Sequence, residues 1–103
     1  MYARFTEGTI DTKKREQAEM IAESIFTAAR QQKGFRGLSF CLDPKGEAIF
    51  LSLWESKEAL LANEASGYYQ EQVAKLKEIS TGDTSPKLYE VVEHEVPAVA
   101  TVR

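Results

Sequence analysis

The chain has 103 residues, with 43% apolar and 28% charged side chains, which is the composition of one ordinary globular domain. Its formal net charge is −3, with both signs spread along the sequence, so nucleic acid is not expected as a partner, because nucleic-acid binders need a basic face. No apolar run approaches the roughly 20 residues of a membrane span, and no signal-peptide pattern opens the chain, so no membrane partner is expected.

Strand and helix signals alternate along the chain. In chain order, the sequence predicts a strand over 2–8, a helix from Asp11 or Thr12 to Lys33, strands over 35–42 and 48–54, a short helix from Ser56 to Asn63, a helix from Ser66 or Gly67 to Ile79, and a strand over 87–95. The turn between the two middle strands holds Pro44 and Gly46. Proline presets φ and glycine accepts a positive φ, so these two strands are predicted to form a hairpin.

The order β-α-β-β-α-β is that of the ferredoxin-like plan, an α+β fold with two helices on one face of an antiparallel sheet. We therefore predict a single domain over 1–95 and a C-terminal tail over 96–103. The tail contains Pro97 and is apolar at Val96, Val99 and Val102. It is long enough to add an arm across an interface with a second subunit.

The third predicted strand is apolar on both faces. Phe50 and Trp54 share one face, while Ile49, Leu51 and Leu53 share the other. Two helices cover only one face of such a sheet, and a large exposed apolar patch is uncommon in a monomer. The pattern predicts a homodimer that pairs sheet to sheet. The alternative is a monomer whose tail folds back over the open face.

A short motif begins at the end of this strand. The sequence W-E-S-K-E-A-L over 54–60 resembles the W-E-S-x-E-A-L signature of the antibiotic-biosynthesis monooxygenase-like proteins, and G-F-R-G over 34–37 resembles that family's G-F-x-G motif. The resemblance implies a ferredoxin-like fold and a dimeric α+β barrel. It also implies one of the family's activities, which include oxidation of aromatic polyketides without metal or flavin, quinol oxidation and haem degradation.

The resemblance also implies roles for particular positions. In the polyketide oxidases the signature tryptophan lines a pocket between the sheet and the helices, and Trp54 matches it. The family's asparagine four residues earlier is Phe50 here, and its tyrosine six residues later is Leu60. The histidine of the haem-degrading members falls near Val73. The scaffold signature is thus present, while these three partner positions hold other residues.

The alternation along the third strand directs Trp54 towards the helices, where Tyr69 lies at the centre of the apolar stripe of the last helix. This arrangement predicts an aromatic-walled pocket for a flat apolar ligand. The alternative is core packing, with the indole N–H bonded to the backbone. A buried tyrosine hydroxyl can orient a phenolic substrate or donate a proton. The candidate catalytic residues are Trp54 and Tyr69, and the candidate substrate-binding residues are Phe50, Ser52, Leu60 and Tyr68.

Three further side chains carry polar or reactive groups. His94 is flanked by glutamates in the last predicted strand, where a lone histidine is more often solvated than catalytic. Arg4 is expected to pair across the sheet with Glu7 or Glu90, or to hold an anionic substrate. Cys41 is expected to be a packing residue, and a single cysteine fits a reducing, cytoplasmic setting. One histidine and one cysteine cannot supply a zinc site, so we expect no metal and no other cofactor.

Three functions remain open from the sequence. The first is a cofactor-independent monooxygenase-like enzyme that confines an electron-rich aromatic or quinone-like molecule next to O₂. The second is a non-catalytic dimeric module that binds a small ligand, and the residues at Phe50, Leu60 and Val73 favour it. The third, with the least support, is haem binding or degradation.

Overall fold

The computed structural model describes residues 1–82 and 84–97. Its elements in chain order are β1 (Tyr2–Thr9), a 3₁₀ turn (Thr12–Lys14), α1 (Arg15–Ala29), β2 (Phe35–Leu42), β3 (Glu47–Trp54), α2 (Lys57–Glu64), α3 (Gly67–Ile79) and β4 (Ser85–Glu90). The strands form one antiparallel sheet in the order β2-β3-β1-β4. This confirms the predicted α+β, ferredoxin-like fold. Across the described residues, no helix combines the length and the apolar character needed to cross a bilayer.

The first helix ends earlier than the sequence predicts. The sequence predicts an end at Lys33, but α1 stops at Ala29. The next amides then bond three residues back instead of four, with Gln31 N–H donating to Ala28 O at 3.2 Å and Gln32 N–H to Ala29 O at 2.9 Å. Such i−3 bonds tighten the last turn and end the helix. Gly34, with φ of 81°, then leads the chain into β2.

Two serines begin the helices that follow β3. The Ser56 hydroxyl accepts the Ala59 N–H at 3.1 Å, and the Ser66 hydroxyl accepts the Tyr69 N–H at 3.3 Å. Each serine satisfies an amide that has no partner within its own helix. The second cap places Tyr69 in the first turn of α3.

The last strand is shorter than predicted. The sequence predicts a strand over 87–95, but β4 runs from Ser85 to Glu90. The reason is that Glu90 pairs with Tyr2, the first residue of β1, and the Val91 N–H donates the final bond to Met1 O at 2.9 Å. Beyond this point the neighbouring strand has ended. His94 therefore lies exposed in the segment 91–97, which is not a strand.

The two faces of β3 differ as its alternation predicts. On the face towards the helices, Ser52 is 5% and Trp54 is 1% exposed, whereas Ile49 on the opposite face is 37% exposed. The opposite face continues into β1 and β4, where Phe5 and Tyr89 pack edge to face with ring centroids 5.6 Å apart. Tyr89 is itself half exposed. We call this outer surface the open face of the sheet. Of the tail, Val99 and Val102 lie outside the described residues.

Candidate functional site

A cavity of about 940 Å³ lies between the sheet and the helices α1 and α3. Aromatic side chains from β3 and α3 form part of its wall, and aliphatic side chains such as Ile25 and Leu76 form another part. Polar groups enter from β1, α2 and α3. An apolar chamber with a few convergent polar groups is the usual form of a small-molecule site.

Strand β3 supplies three residues of the wall at alternate positions, Phe50, Ser52 and Trp54. The Trp54 indole N–H donates to the Ser52 hydroxyl oxygen at 3.0 Å, in a buried setting. The sequence-based alternative expected a backbone acceptor, so the partner is instead a side chain two residues earlier on the same face. Because the Ser52 oxygen accepts this bond, its own hydroxyl proton stays available to a ligand.

Arg4 crosses from β1 into the cavity wall and is only 8% exposed. Its Nη2 donates to Asn63 Oδ1 at 2.9 Å, and its Nη1 lies 3.3 Å from Glu64 Oε2. The predicted cross-strand pairing with Glu7 or Glu90 is therefore wrong. Glu7 alternates onto the other face of β1. Helix α2 contacts β1 and brings the competing amide and carboxylate over Arg4.

The same guanidinium lies against two aromatic rings. Its central carbon is 4.4 Å from the Tyr69 ring centroid and 5.8 Å from the Trp54 ring centroid. Both distances are within the range of a cation–π interaction. Arg4 thus contacts both candidate catalytic residues, which come from different elements of the fold.

Tyr69 is partly buried beside this charge cluster. Burial raises the pKa of the Tyr69 phenol above its ordinary value of 10.0, the Arg4 charge acts in the opposite direction, and the Glu64 carboxylate adds to the increase. At neutral pH the Tyr69 side chain is therefore a neutral O–H group. In that state it can donate a hydrogen bond or a proton to a ligand oxygen.

Gln72 is a polar residue of the wall that the sequence analysis missed. It lies on α3, lines the cavity and is 9% exposed. Its Oε1 atom is buried and accepts no hydrogen bond from the described residues 1–82 and 84–97. A signal was present, because Gln72 falls three residues after Tyr69, at a position of the helix that faces the sheet. Asn63, the partner of Arg4, was also missed.

The structure brings most of the predicted site residues together. Trp54, Tyr69, Phe50 and Ser52 line the cavity, and so does Tyr68, which is 53% exposed at its edge. Leu60 does not line it. That side chain is fully buried at 0% exposure, on a helix that contacts β1 and β3, where it contributes to packing.

The next residues to locate are those that the sequence analysis considered for haem or metal binding. Val73 lines the cavity, and no histidine is among the described residues that do so. Within 1–82 and 84–97, no cluster of three or more His, Cys, Asp or Glu side chains is arranged to hold a metal ion. Cys41 is a free, exposed thiol on β2, so the prediction of a packing residue is wrong. It pairs with Ile49 and therefore lies on the open face of the sheet, which no described helix covers.

Solved structures provide close structural matches to this chain at low sequence identity. Rv0793 from Mycobacterium tuberculosis superposes with a TM-score of 0.78 at 17% identity, covering 92% of this chain and 98% of its own. A Deinococcus radiodurans protein, named as a candidate antibiotic biosynthesis monooxygenase, gives 0.80 at 18% identity, with coverage of 96% and 100%. A mutant of SnoaB, a cofactor-independent oxygenase from Streptomyces nogalater, gives 0.77 at 12% identity, with coverage of 90% and 94%.

Comparison of the sequence itself gives a different result. No family model matches it, and a search of curated proteins found no match. This chain and the solved structures therefore resemble each other in backbone fold, over nearly the whole length of both chains. This chain has the fold of the antibiotic biosynthesis monooxygenase-like proteins, as the motif at 54–60 predicted.

Proposed function

We propose that this chain is a cofactor-independent monooxygenase-like enzyme that acts on an aromatic or quinone-like small molecule. The observation that carries the proposal is the cavity of about 940 Å³ with Trp54 in its wall and the neutral Tyr69 phenol beside it. The structural likeness to SnoaB, whose name describes a cofactor-independent oxygenase, supports the same class of reaction.

In such a reaction a ring CH₂ group and O₂ give a ring C=O group and water. The four electrons that reduce O₂ come from the substrate carbon, and its two hydrogens leave in the water. The protein contributes confinement, removal of water and control of protons. Here Trp54 forms an aromatic wall, and Tyr69 offers a hydrogen-bond donor to the ring oxygen on which negative charge develops when the CH₂ group loses its first proton.

The proposal is tested with anthrone, the simplest three-ring molecule with a CH₂ group of this kind. Oxygen uptake and anthraquinone formation are measured together, against the uncatalysed rate. We expect Trp54→Phe and Tyr69→Phe each to lower the catalysed rate by at least about tenfold, because each removes one contact with the ring system or its oxygen. Tyr89→Phe is the matched control, since it also removes one tyrosine hydroxyl but lies on the open face.

Two results would contradict the proposal. One is an anthraquinone yield equal to the uncatalysed reaction with the wild-type protein. The other is a catalysed rate that neither cavity variant changes. Oxygen uptake without additional anthraquinone is a case of the first result and would indicate different chemistry.

The second candidate is a non-catalytic module that binds a small apolar ligand in the same cavity. The observation that favours it is the Phe50 side chain, which stands where the resemblance places an asparagine and stacks on Phe40 with ring centroids 4.5 Å apart. A ring committed to such a stack supplies no polar group for catalysis. Saturable binding of anthrone without acceleration of its oxidation would select this candidate over the enzyme.

Haem binding keeps little support. The haem-degrading members of the family that the motifs resemble use a histidine in the last helix, near the position that Val73 occupies here. The single histidine, His94, is exposed in the segment 91–97. Adding haem to the protein and recording a Soret spectrum tests this reading, and we expect no shift from free haem.

We also propose that the protein is a homodimer that pairs through the open face. Ile49 and Tyr89 are exposed there at 37% and 49%, beside the half-buried Leu51 and Leu53. A second copy of the sheet would remove this apolar surface from water. Three further points stay predictions. They are the single domain over 1–95, the tail over 96–103 as an arm of that interface, and a reducing, cytoplasmic setting.

A further inference from the structure

We propose that the cavity takes aromatic carboxylates, and that Lys77 and Arg4 select these molecules by their negative charge. This inference rests on the proposed function, because it names the substrate class of the same cavity. It goes beyond that function, which describes the ring system of the substrate but not its charge.

The cavity wall differs in charge from the chain as a whole. The chain carries a formal net charge of −3. Among the described residues that line the cavity, the charged ones are Arg4 and Lys77, and both are cations. Glu64, the carboxylate that pairs with Arg4, is not one of the lining residues. A cleft whose charged groups share one sign concentrates ligands of the opposite sign.

Arg4 supplies a charge that is held inside the wall. Its side chain is 9% exposed, whereas the side chain of its partner Glu64 is 27% exposed. Water therefore screens the carboxylate more than the guanidinium. Because Arg4 borders the cavity and Glu64 does not, the cation is the closer charge to a bound molecule. The pair leaves a positive potential on the cavity side.

Lys77 supplies a second charge at the edge of the cavity. It lies in the last turn of α3, is exposed, and takes part in no ion pair among the described residues. Tyr69, which contacts Arg4, is eight positions earlier on the same helix, a rise of about 12 Å. The long, flexible stem of Lys77 lets its ammonium group reach a carboxylate at the cavity edge.

A second lysine of α3 shows the difference between a cavity lysine and an ordinary surface lysine. Lys75 Nζ lies 3.9 Å from Glu71 Oε1, four residues earlier, and Lys75 does not line the cavity. The residue four positions before Lys77 is Val73, which lines the cavity as well. No carboxylate neutralises Lys77 from that position of the helix. Its charge is therefore available to an anion that enters the cavity.

These charges and the apolar wall together define the ligand. An aromatic ring system fills the space beside Trp54 and the aliphatic side chains of the helices. A carboxylate on that ring reaches Lys77 at the edge, where it keeps part of its water and so has a small desolvation cost. The same ring with a neutral amide has nearly the same size but gains nothing from either cation.

The test uses 2-naphthoate and 2-naphthamide, of which only the first is charged at neutral pH. Equilibrium dialysis measures the affinity of each probe for the full chain at about 0.01 M and about 1 M salt. At low salt we expect 2-naphthoate to bind about tenfold more tightly, with up to about fivefold from the exposed Lys77 and the rest from Arg4. At high salt we expect a ratio of about two or less, because the screening length falls from about 30 Å to about 3 Å.

Variants assign the preference to the two cations. Lys77→Gln is expected to lower the low-salt ratio by about threefold to fivefold. Lys75→Gln is the matched control, because it removes the same charge from the same helix outside the cavity, and its ratio should change by less than about twofold. Glu64→Gln keeps an acceptor for Arg4 but removes the opposing charge, so its ratio should rise about twofold. Because each ratio compares two probes on one protein, a general loss of folded protein does not alter it.

The outcomes separate this inference from the proposed function. Equal affinities of the wild-type protein for the two probes at low salt would overturn the charge selection and leave the aromatic cavity standing. A ratio that Lys77→Gln leaves unchanged would also overturn it, and would restrict Lys77 to its favourable interaction with the C-terminal end of the helix dipole. A ratio that Glu64→Gln does not raise would overturn the part given to Arg4. If neither probe binds, the inference is overturned, whereas the oxidation of anthrone decides the proposed enzyme independently.

Discussion

The guanidinium carbon of Arg4 lies 4.4 Å from the centroid of the Tyr69 ring, and the same side chain donates to Asn63. One residue of the central strand β1 thereby connects α2 to the first turn of α3. We expect this contact to help orient the Tyr69 ring, because a cation over the face of a partly buried ring attracts it.

Removing Arg4 is expected to destabilise the fold. Arg4→Ala leaves the Asn63 amide and the Glu64 carboxylate without their partner, and we expect a loss of about 2–3 kcal/mol in the free energy of unfolding, measured by urea denaturation. Arg36→Ala is the control, because its 3.0 Å ion pair with Glu55 has both side chains about half exposed. Such surface pairs contribute roughly 0–1 kcal/mol. Equal losses in the two variants would contradict the role given to Arg4.

The ionisation of Tyr69 gives a prediction at high pH. Its pKa is raised in the folded state, so the folded protein holds this proton more tightly than the unfolded chain does. The associated stability is fully present below about pH 10, the value for an unperturbed tyrosine, and is lost as the pH rises through the folded-state pKa.

We therefore expect a tyrosinate absorbance titration of the folded protein to show one late step, which Tyr69→Phe removes. Above pH 10 the wild-type protein should lose stability more steeply than this variant. Tyr68→Phe, which changes the neighbouring half-exposed residue, should keep the late step. A late step that survives in Tyr69→Phe would assign the raised pKa to another tyrosine.

The open face gives a prediction about assembly. Ile49→Glu places a charge on the open face, within the proposed interface, and we expect it to raise the dimer dissociation constant by at least about 100-fold, roughly 3 kcal/mol. Sedimentation or native mass spectrometry measures this. Met20→Glu is the control, because Met20 is 73% exposed on α1, away from the sheet. A wild-type protein that is monomeric at micromolar concentration would reject the dimer directly.

The buried Gln72 amide gives a prediction about stability. In the absence of ligand its unpaired oxygen is a cost, so Gln72→Met is expected to raise the free energy of unfolding by about 1 kcal/mol. Gln70→Met should give no such gain, because its amide is exposed and bonded to Glu64. A destabilised Gln72→Met protein would indicate that the amide has a partner in solution.

Much of the fold could be predicted because its signals are local. Ser56 and Ser66 precede their helices as capping residues, and the turn holding Gly46, with φ of 94°, sits between two strands. The alternation of Phe50 and Trp54 against Ile49 is a period-two pattern that any antiparallel strand follows. These features depend on neighbours a few residues away, and the structure confirms each of them.

The features that the sequence did not reveal depend on distant contacts. Arg4 and Asn63 are 59 positions apart, so only the docking of α2 on β1 brings them together. The strand β4 ends at Glu90 because β1, its neighbour, begins at Tyr2. The residues 91–95 carry no local signal that would indicate this end. The unpaired state of Gln72 likewise depends on which groups surround it after folding.

The bond between Trp54 and Ser52 has a practical consequence. Trp54 is the only tryptophan of the chain, is 1% exposed, and forms part of the cavity wall. Its indole is held in one orientation, with a single polar partner and a guanidinium nearby. The tryptophan fluorescence of the protein therefore originates in the cavity wall, and we expect a molecule that enters the cavity to change this emission without any label.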